Sequence, residues 1–307
     1  MTKATTLSLD SKTIPMLLLL AAVWGGTFFF AEVALEEVPP LTITLFRVFL
    51  ALPILATIVL LKGISIPRSL KVWRAYMVMG ALNNAVPFSL IFWGQTQIYS
   101  GLASILNGTT AMFAAFVAGL LLPDEPLTAK KIIGASIGII GVAFIMGPDA
   151  LSNFNLSNLA QLAVIAATVS YAFAGVWGKI ALSGQAPLMN ALGMLIGSTI
   201  LMAPIVFIFD GPPSFSLSSE VWSALIGMAI LSTALAYFLY FAILVRAGSA
   251  NLLLVTLLIP PFAILFGAVF LGEKIEIDVW IGFAVICLGF AVTDGRLFSS
   301  VFRKASN

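Results

Sequence analysis

Ten apolar runs constrain the fold of this chain more than any other feature of its sequence. Short polar stretches separate the runs, and most runs reach the roughly 20 residues that cross the hydrocarbon core of a bilayer. Because lipid offers no partner to backbone N–H and C=O groups, each run is predicted to be a membrane helix. The runs cover residues 14–31, 42–61, 75–95, 102–122, 132–146, 159–180, 188–209, 221–245, 251–271 and 279–297.

Composition agrees with a membrane protein and excludes several kinds of chemistry. Hydrophobic residues make up 61% of the chain and charged residues 9%, whereas soluble proteins carry about 25% charged residues. The chain has no histidine, and Cys287 is its one cysteine. Histidine metal sites, Ser-His-Asp triads and intrachain disulfides are therefore excluded. With no phosphate-binding loop or nucleophile motif, we expect no enzyme, no cofactor, no metal and no nucleic-acid partner.

The distribution of Lys and Arg predicts the orientation, because cytoplasmic loops carry an excess of both. With the amino terminus in the cytoplasm, Lys274 is the one cation outside and Arg47 lies within a helix. The cytoplasmic cations are Lys3, Lys12, Lys62, Arg68, Lys71, Arg74, Lys130, Lys131, Lys179, Arg246, Arg296, Arg303 and Lys304. The outer loops are acidic instead. Both termini, residues 1–13 and 298–307, are predicted to be cytoplasmic tails.

The chain repeats itself at an offset of about 148 residues, most clearly between residues 101–144 and 249–292. The paired landmarks are Gly119 with Gly267, Glu125 with Glu273, Gly134 with Gly282, and Gly141 with Gly289. Ten helices divide into five-helix repeats at 14–147 and 159–297. Since five is odd, the second repeat enters the membrane from the opposite side. The predicted fold is an all-α integral membrane protein with two inverted repeats, which is typical of transporters.

Several short motifs resemble the EamA-type branch of the drug/metabolite transporter superfamily, and together they cover nearly the whole chain. They are Trp24-Gly25-Gly26-Thr27-Phe28, Phe46-Arg47, Ile105-Leu106-Asn107-Gly108-Thr109-Thr110, Leu122-Pro123-Asp124-Glu125 with Gly134 and Gly141, and Ile259-Pro260 leading to Leu271-Gly272-Glu273. The resemblance implies an inner-membrane carrier that exports amino acids or other small metabolites. Ala111 stands where the family usually has proline, whereas the second repeat keeps Pro260. We therefore expect a weaker bend in the fourth helix.

Arg47 is a candidate substrate-binding residue, because an arginine inside a membrane helix is costly and needs a partner. It is predicted to lie about five residues inside the outer end of the second helix, roughly 7–8 Å deep. One interpretation is an anchor for a substrate carboxylate, or a latch with Glu32. The other is a structural ion pair with Glu32, Glu36 or Glu37, or a side chain that extends to the interface.

Aromatic, amide and hydroxyl side chains on several helices could line a central cavity for an amphipathic molecule with a zwitterionic head. Besides Arg47, the predicted substrate-binding residues are Trp24, Phe28, Asn84, Phe88, Phe92, Gln95, Asn107, Thr110, Tyr171, Tyr237, Tyr240 and Thr256. The alternative for each of them is ordinary packing, in which polar groups bond across helix interfaces.

The acidic corners Glu125 and Glu273 are predicted at the water interface, where they cap the next helix or pair with Lys130, Lys131 or Lys274. Proton coupling through a buried carboxylate is the other interpretation. No Asp or Glu lies near the middle of any run, which argues against a cation–proton antiporter.

These observations favour a secondary or facilitative carrier that exports small metabolites, amino acids first. A carrier of cationic drugs or nucleotide sugars with the same architecture is the alternative. A membrane enzyme would need paired acids or a nucleophile with a base at membrane depth, and we find neither. The expected partners are a small-molecule substrate and the lipid bilayer, with the chain acting as a monomer.

Overall fold

The computed structural model describes residues 11–123, 125–146, 156–247, 252 and 255–294, and these form ten helical segments without a strand. We number them α1 (Thr13–Leu35), α2 (Pro40–Leu61), α3 (Leu70–Gln95), α4 (Ser100–Leu121), α5 (Ala129–Met146), α6 (Leu156–Ala181), α7 (Pro187–Phe209), α8 (219–247), α9 (Val255–Leu271) and α10 (Ile277–Asp294). Seven of them are long and apolar enough to cross a membrane, and α9 and α10 are shorter apolar helices. The predicted tails lie almost wholly outside the described residues.

All helices except α9, whose described part begins at Val255, begin before the predicted positions, because polar residues at membrane interfaces continue the helical hydrogen bonding. Helix α1 continues to Leu35, so Glu32 lies inside it. Helix α5 begins at Ala129 instead of residue 132. Helix α2 begins at Pro40, where proline costs no helical hydrogen bond. Arg47 therefore lies seven residues inside α2, about 10 Å along its axis and deeper than expected.

Four of the helices contain irregular turns. The turns Ala81–Ala85 in α3, Ile230–Leu235 in α8 and Gly267–Leu271 at the end of α9 are π-helical. In α4 the helix is interrupted at Gly108 and Thr109. Helix α4 is thus interrupted although it lacks the proline, whereas Val255–Phe266 stays helical through Pro260; the weaker bend expected in the first repeat stays a prediction. The hydroxyl of Thr109 bonds the Leu106 carbonyl at 2.8 Å, which competes with the helical backbone bonds.

The pairing of α5 with α10 shows the inverted repeat directly. A Cβ placed on Gly134 would lie 2.6 Å from the Gly289 carbonyl oxygen, and one on Gly141 would lie 2.9 Å from the Gly282 carbonyl oxygen. Glycine is required at these contacts because the two backbones touch. The contacts cross, so that each landmark glycine packs on the landmark that is not its own repeat mate. Such crossing occurs when two equivalent helices run antiparallel.

The loops fall on two faces of the bundle. The loops after α1, α3, α7 and α9 form one end of the bundle, which carries Glu37, Asp210 and Glu273. We call this end the acidic face. We call basic face the end formed by the loops after α2, α4 and α6, which carries most of the lysines and arginines. Between the faces, α2 packs against α7, α3 against α7, and α1 against α8 and α9, so that the two repeats share one core.

Candidate functional site

Arg47 lies at the contact between the repeats, where α2 of the first meets α8 of the second. Its side chain is only 6% exposed. The guanidinium donates to the Thr233 hydroxyl at 3.3 Å and to the Ser232 carbonyl at 3.4 Å. It also stacks on Phe88, with its central carbon 3.8 Å from the ring centroid. The π-helical turn of α8 supplies both hydrogen-bond acceptors, because such a turn releases carbonyl groups from the helical pattern.

No carboxylate in the described part of the chain bonds Arg47, which corrects the predicted pairing with Glu32, Glu36 or Glu37. Glu32 instead accepts a hydrogen bond from Gln95 at 3.2 Å. Two long hydrogen bonds and the rings of Phe88 and Phe92, at 3.8 and 6.0 Å, are weak compensation for a buried cation, which is normally paired with an anion. The guanidinium therefore keeps donor capacity for an anionic group from outside the described chain.

The π-helical turn of α3, which is the equivalent in the first repeat of the turn in α8, carries a neutral polar group. Asn84, in the π-helical turn of α3, donates to the Ser198 hydroxyl of α7 at 3.2 Å. Its amide oxygen accepts from the Tyr237 hydroxyl at 3.5 Å. The Leu82 carbonyl in the same turn accepts from Ser170 of α6 at 2.7 Å. Predicted residues of both repeats are thus joined through Asn84.

Aromatic rings surround the Arg47 group. Phe88 and Phe92 have ring centroids 6.2 Å apart, and the rings of Trp24 and Tyr240 are 6.0 Å apart. Tyr171, Tyr237 and Tyr240 are half-buried, as is Trp24. Arg47 is within electrostatic range of Tyr171 and Tyr237.

Two other predicted groups lie apart from Arg47. Gln95 donates to the Phe28 carbonyl at 2.9 Å, so that both residues join α1 to α3 beside Glu32 and not beside the guanidinium. Thr110 donates to the Asn107 carbonyl at 2.7 Å at the interruption of α4. A Cβ on Gly108, between them, would lie 3.6 Å from the Thr256 carbonyl oxygen, which brings α4 close to α9. The Asn107 side-chain oxygen is buried without a hydrogen-bond partner in the structure.

On the acidic face, three carboxylates each accept hydrogen bonds from the beginning of a helix in the other repeat. Asp210 accepts from the Thr42 backbone N–H at 3.0 Å and from its hydroxyl at 2.8 Å. Glu37 accepts from the Ser218 N–H at 2.9 Å. Glu273 accepts from the N–H groups that begin α4, at 2.9 and 3.1 Å. Carboxylates stabilise helix amino termini, and here they hold the repeats together at this face.

The two acidic corners differ from the predictions made for them. Glu273 caps α4, not the next helix, because the antiparallel packing brings the α9–α10 loop onto the α4 amino terminus. Glu125 pairs with Lys179 at 2.8 Å, and both side chains are partly exposed. Of the lysines predicted for Glu125, Lys131 contacts its backbone carbonyl at 3.2 Å and not its carboxylate.

Sequence reasoning missed several polar residues of the site. Thr233, Ser198 and Ser170 all bond predicted residues or π-helical carbonyls, but none was proposed. A π-helical turn adds one residue to the helical period, so that a stripe drawn at 3.6 residues changes face beyond the turn. Thr233 could have been found as the neighbour of Ser232, which lies 148 residues after Asn84.

A comparison with models of known protein families identifies the family of this chain. The model of the EamA-like transporter family matches the chain twice, at residues 11–147 and 158–293. The chain belongs to the EamA-like transporter family. It is therefore a multi-pass protein of a family of membrane transporters.

Similar proteins align with this chain over most of their own length. The uncharacterized transporter YoaV of Bacillus subtilis is 26% identical over 87% of this chain and 91% of its own. Protein PecM of Dickeya dadantii is 27% identical over 90% of this chain and 91% of its own. One solved crystal structure shares the fold, with a TM-score of 0.66 at 17% identity, and covers 93% of this chain and 98% of its own.

Proposed function

We propose that this EamA-like transporter is a secondary or facilitative carrier that exports small metabolites, most directly amino acids. Transport would proceed by alternating access at the contact between its repeats. The observation that carries the proposal is Arg47, a buried guanidinium without a carboxylate partner among the described residues. It lies against the rings of Phe88 and Phe92, and its helix α2 contains no acidic residue.

The side chains near Arg47 suit the two ends of an amino acid. A guanidinium binds a carboxylate through two parallel hydrogen bonds. The faces of Tyr171, Tyr237, Tyr240 and Trp24 accept an ammonium group or an apolar side chain. A cationic drug would bring its charge to Arg47 without an acid to balance it. A nucleotide sugar carries phosphates that call for several basic groups, and Arg47 is the one Lys or Arg within the predicted apolar runs away from their ends.

The acidic-face caps suggest which end of the pathway is closed in this conformation. Thr42–Asp210, Ser218–Glu37 and the Glu273 cap each join opposite repeats and would have to separate before that face opens. In the orientation predicted from Lys and Arg, this is the outer face of an inner-membrane protein with both termini in the cytoplasm. Export would then load substrate from the basic face.

A transport assay with substrates that differ only in charge tests the proposal. The purified protein is reconstituted in liposomes, and counterflow of labelled neutral amino acids is compared with that of the matching amines, which lack the carboxylate. We expect saturable flux of at least one amino acid and much less of its amine. Equal flux of both, or flux of cations alone, would contradict the proposed substrate class.

The orientation needs its own measurement. In a Cys287→Ser background, single cysteines are introduced at Gly63 on the basic face and at Pro213 on the acidic face. A membrane-impermeant maleimide applied to whole cells should label the cysteine at position 213 and leave that at position 63 unlabelled. The reverse pattern would place the basic face outside and contradict export from that side.

A further inference from the structure

An apolar groove opens between α2 and α7 near the basic face, away from Arg47. Its volume is about 370 Å³. The lining residues are all apolar: Leu52, Pro53, Ala56, Val59, Leu60, Ile66, Leu192 and Ile196. We call it the α2–α7 groove. At the other end of the same helices, Leu45 packs against Met202 and Val206, so that the two helices are in contact there.

The groove is open to the surroundings of the protein. Leu60 is 66% exposed and Ile66 is 51% exposed, and both form part of its wall. Leu60 belongs to a membrane helix, so hydrocarbon and not water is the surrounding medium along most of this length. A groove lined entirely by apolar atoms offers water no hydrogen bonds. A lipid acyl chain is therefore the occupant that its chemistry favours.

The rim of the groove is strongly basic. Ile66 lies in the loop between α2 and α3, and exposed Lys62 and Arg68 flank it in that loop. Residues 62–74 contain four cations, Lys71 and Arg74 included, and no acid. Within the part of the chain that the structure describes, none of the four forms an ion pair or a hydrogen bond through its side chain.

The loop that carries these cations is held in place. The Trp73 indole donates to the Pro67 carbonyl at 2.9 Å, which ties the end of the loop to the first turn of α3. Arg68 follows Pro67 directly, so its backbone is fixed beside the groove. Basic clusters at membrane-helix ends attract anionic lipid head groups, with about 1 kcal/mol for each Lys or Arg.

We propose that the α2–α7 groove binds an anionic phospholipid, with one acyl chain along the groove and the phosphate at Lys62 and Arg68. Because the groove lies between one helix of each repeat, the bound lipid stabilises the arrangement of α2 and α7 in which the groove is open. The inference is independent of the transported substrate. It requires only that the chain crosses a membrane, which its family and its helices establish.

Native mass spectrometry of the purified full-length protein in detergent tests the site. The protein is mixed with phosphatidylglycerol or phosphatidylcholine of identical acyl chains. We expect phosphatidylglycerol to remain bound preferentially. The double variant Lys62→Gln/Arg68→Gln should reduce its bound fraction roughly tenfold or more. The matched control is Lys130→Gln/Arg246→Gln, which removes two exposed cations away from the groove and should leave binding unchanged.

Two further experiments separate the contribution of the lipid acyl chain from that of its phosphate. Ala56→Phe fills the groove and leaves the cations in place, so it should weaken phosphatidylglycerol binding as well. Inorganic phosphate alone should neither bind nor raise the melting temperature. Equal binding of both lipids, equal effects of the two double variants, unchanged binding in Ala56→Phe, or stabilisation by free phosphate would each overturn the proposed site.

Discussion

The two π-helical turns of α3 and α8 have the same place in the two repeats but different chemistry. Asn84 and Ser232, one in each turn, are 148 residues apart. The α8 turn faces the charged Arg47 of α2, whereas the α3 turn faces the neutral Ser198 of α7. Leu195, fully buried, occupies in α7 the position that Arg47 has in α2. The repeats therefore share a backbone distortion, and only one of them adds a charge to it.

Both turns also satisfy their released carbonyl groups with side chains. Leu82 in α3 accepts from the Ser170 hydroxyl at 2.7 Å. Ser232 in α8 accepts from Arg47 at 3.4 Å, a longer and poorer bond. The carbonyl in the α3 turn is therefore well bonded, whereas the carbonyl in the α8 turn makes only a long bond to a charged side chain. Under the proposed function, the donors that Arg47 leaves under-bonded are the groups that a substrate would meet.

The largest expected effect comes from giving the second repeat the missing charge. Leu195→Arg buries a guanidinium opposite the α3 turn, where Ser198 and Asn84 already bond each other. We expect the free energy of unfolding to fall by about 2.5–3.5 kcal/mol, measured by thermal unfolding in detergent with Leu195→Met as the control. An unchanged midpoint would mean that the α3 turn accommodates a cation as well as the α8 turn does.

Removing the charge from the first repeat should cost transport more than folding. Arg47→Leu makes α2 resemble α7 and removes the proposed carboxylate anchor. We expect flux of a transported amino acid to fall at least about tenfold, in a protein that still elutes as a folded species. Arg246→Leu, which removes an exposed arginine in the last turn of α8, is the matched control. Normal flux in Arg47→Leu would assign Arg47 to packing.

A smaller effect should follow from keeping the charge but changing its shape. Arg47→Lys retains a cation but loses the planar group that stacks on Phe88 at 3.8 Å. Because cation–π stacking contributes about 0.5–2 kcal/mol, we expect a rise in KM of roughly threefold to tenfold. The measurement is the concentration dependence of amino acid flux. A loss as complete as that of Arg47→Leu would show that geometry and not charge is decisive.

The smallest effects are expected for the serines that serve each turn. Ser198→Ala removes the partner of Asn84, and Ser232→Ala removes the 2.7 Å bond to the Val23 carbonyl but keeps the backbone acceptor of Arg47. Each should lower the free energy of unfolding by about 0.6–1.7 kcal/mol. Substrate KM should stay unchanged in Ser232→Ala. A marked KM change there would show that its hydroxyl takes part in binding.

Sequence patterns predicted the large features of this protein, because the apolar runs and the repeat each extend over many residues. Apolar length located all ten helices. The offset of Gly134 and Gly141 from Gly282 and Gly289 predicted a repeat, and the five helices in each half predicted that it is inverted; these glycines prove to pack on one another. Arg47 was singled out because charge inside an apolar run is conspicuous. Its burial at the interface of α2 and α8 agrees with that choice, and its role in binding remains a prediction.

The π-helical turns, the Glu273 cap and the groove were not predicted, because no short stretch of sequence specifies them. The π-helical turns shift the side-chain phase, and the turn in α8 carries Thr233, whose hydroxyl accepts from Arg47. Glu273 was expected to serve its own corner, but it caps α4, more than 170 residues earlier in the chain. The α2–α7 groove depends on the angle between two helices, and helix angles are set by packing along their whole length.

Solvent preference alone determined that this chain is a ten-helix membrane protein with two repeats of opposite sense, because a bilayer leaves apolar segments of this length no other structure. Tertiary packing alone decided that a buried arginine would have no carboxylate partner among the described residues, that three acids would join the repeats at one face, and that a groove would open at the other. Those outcomes depend on contacts between residues far apart in the chain, whose distances no single segment specifies.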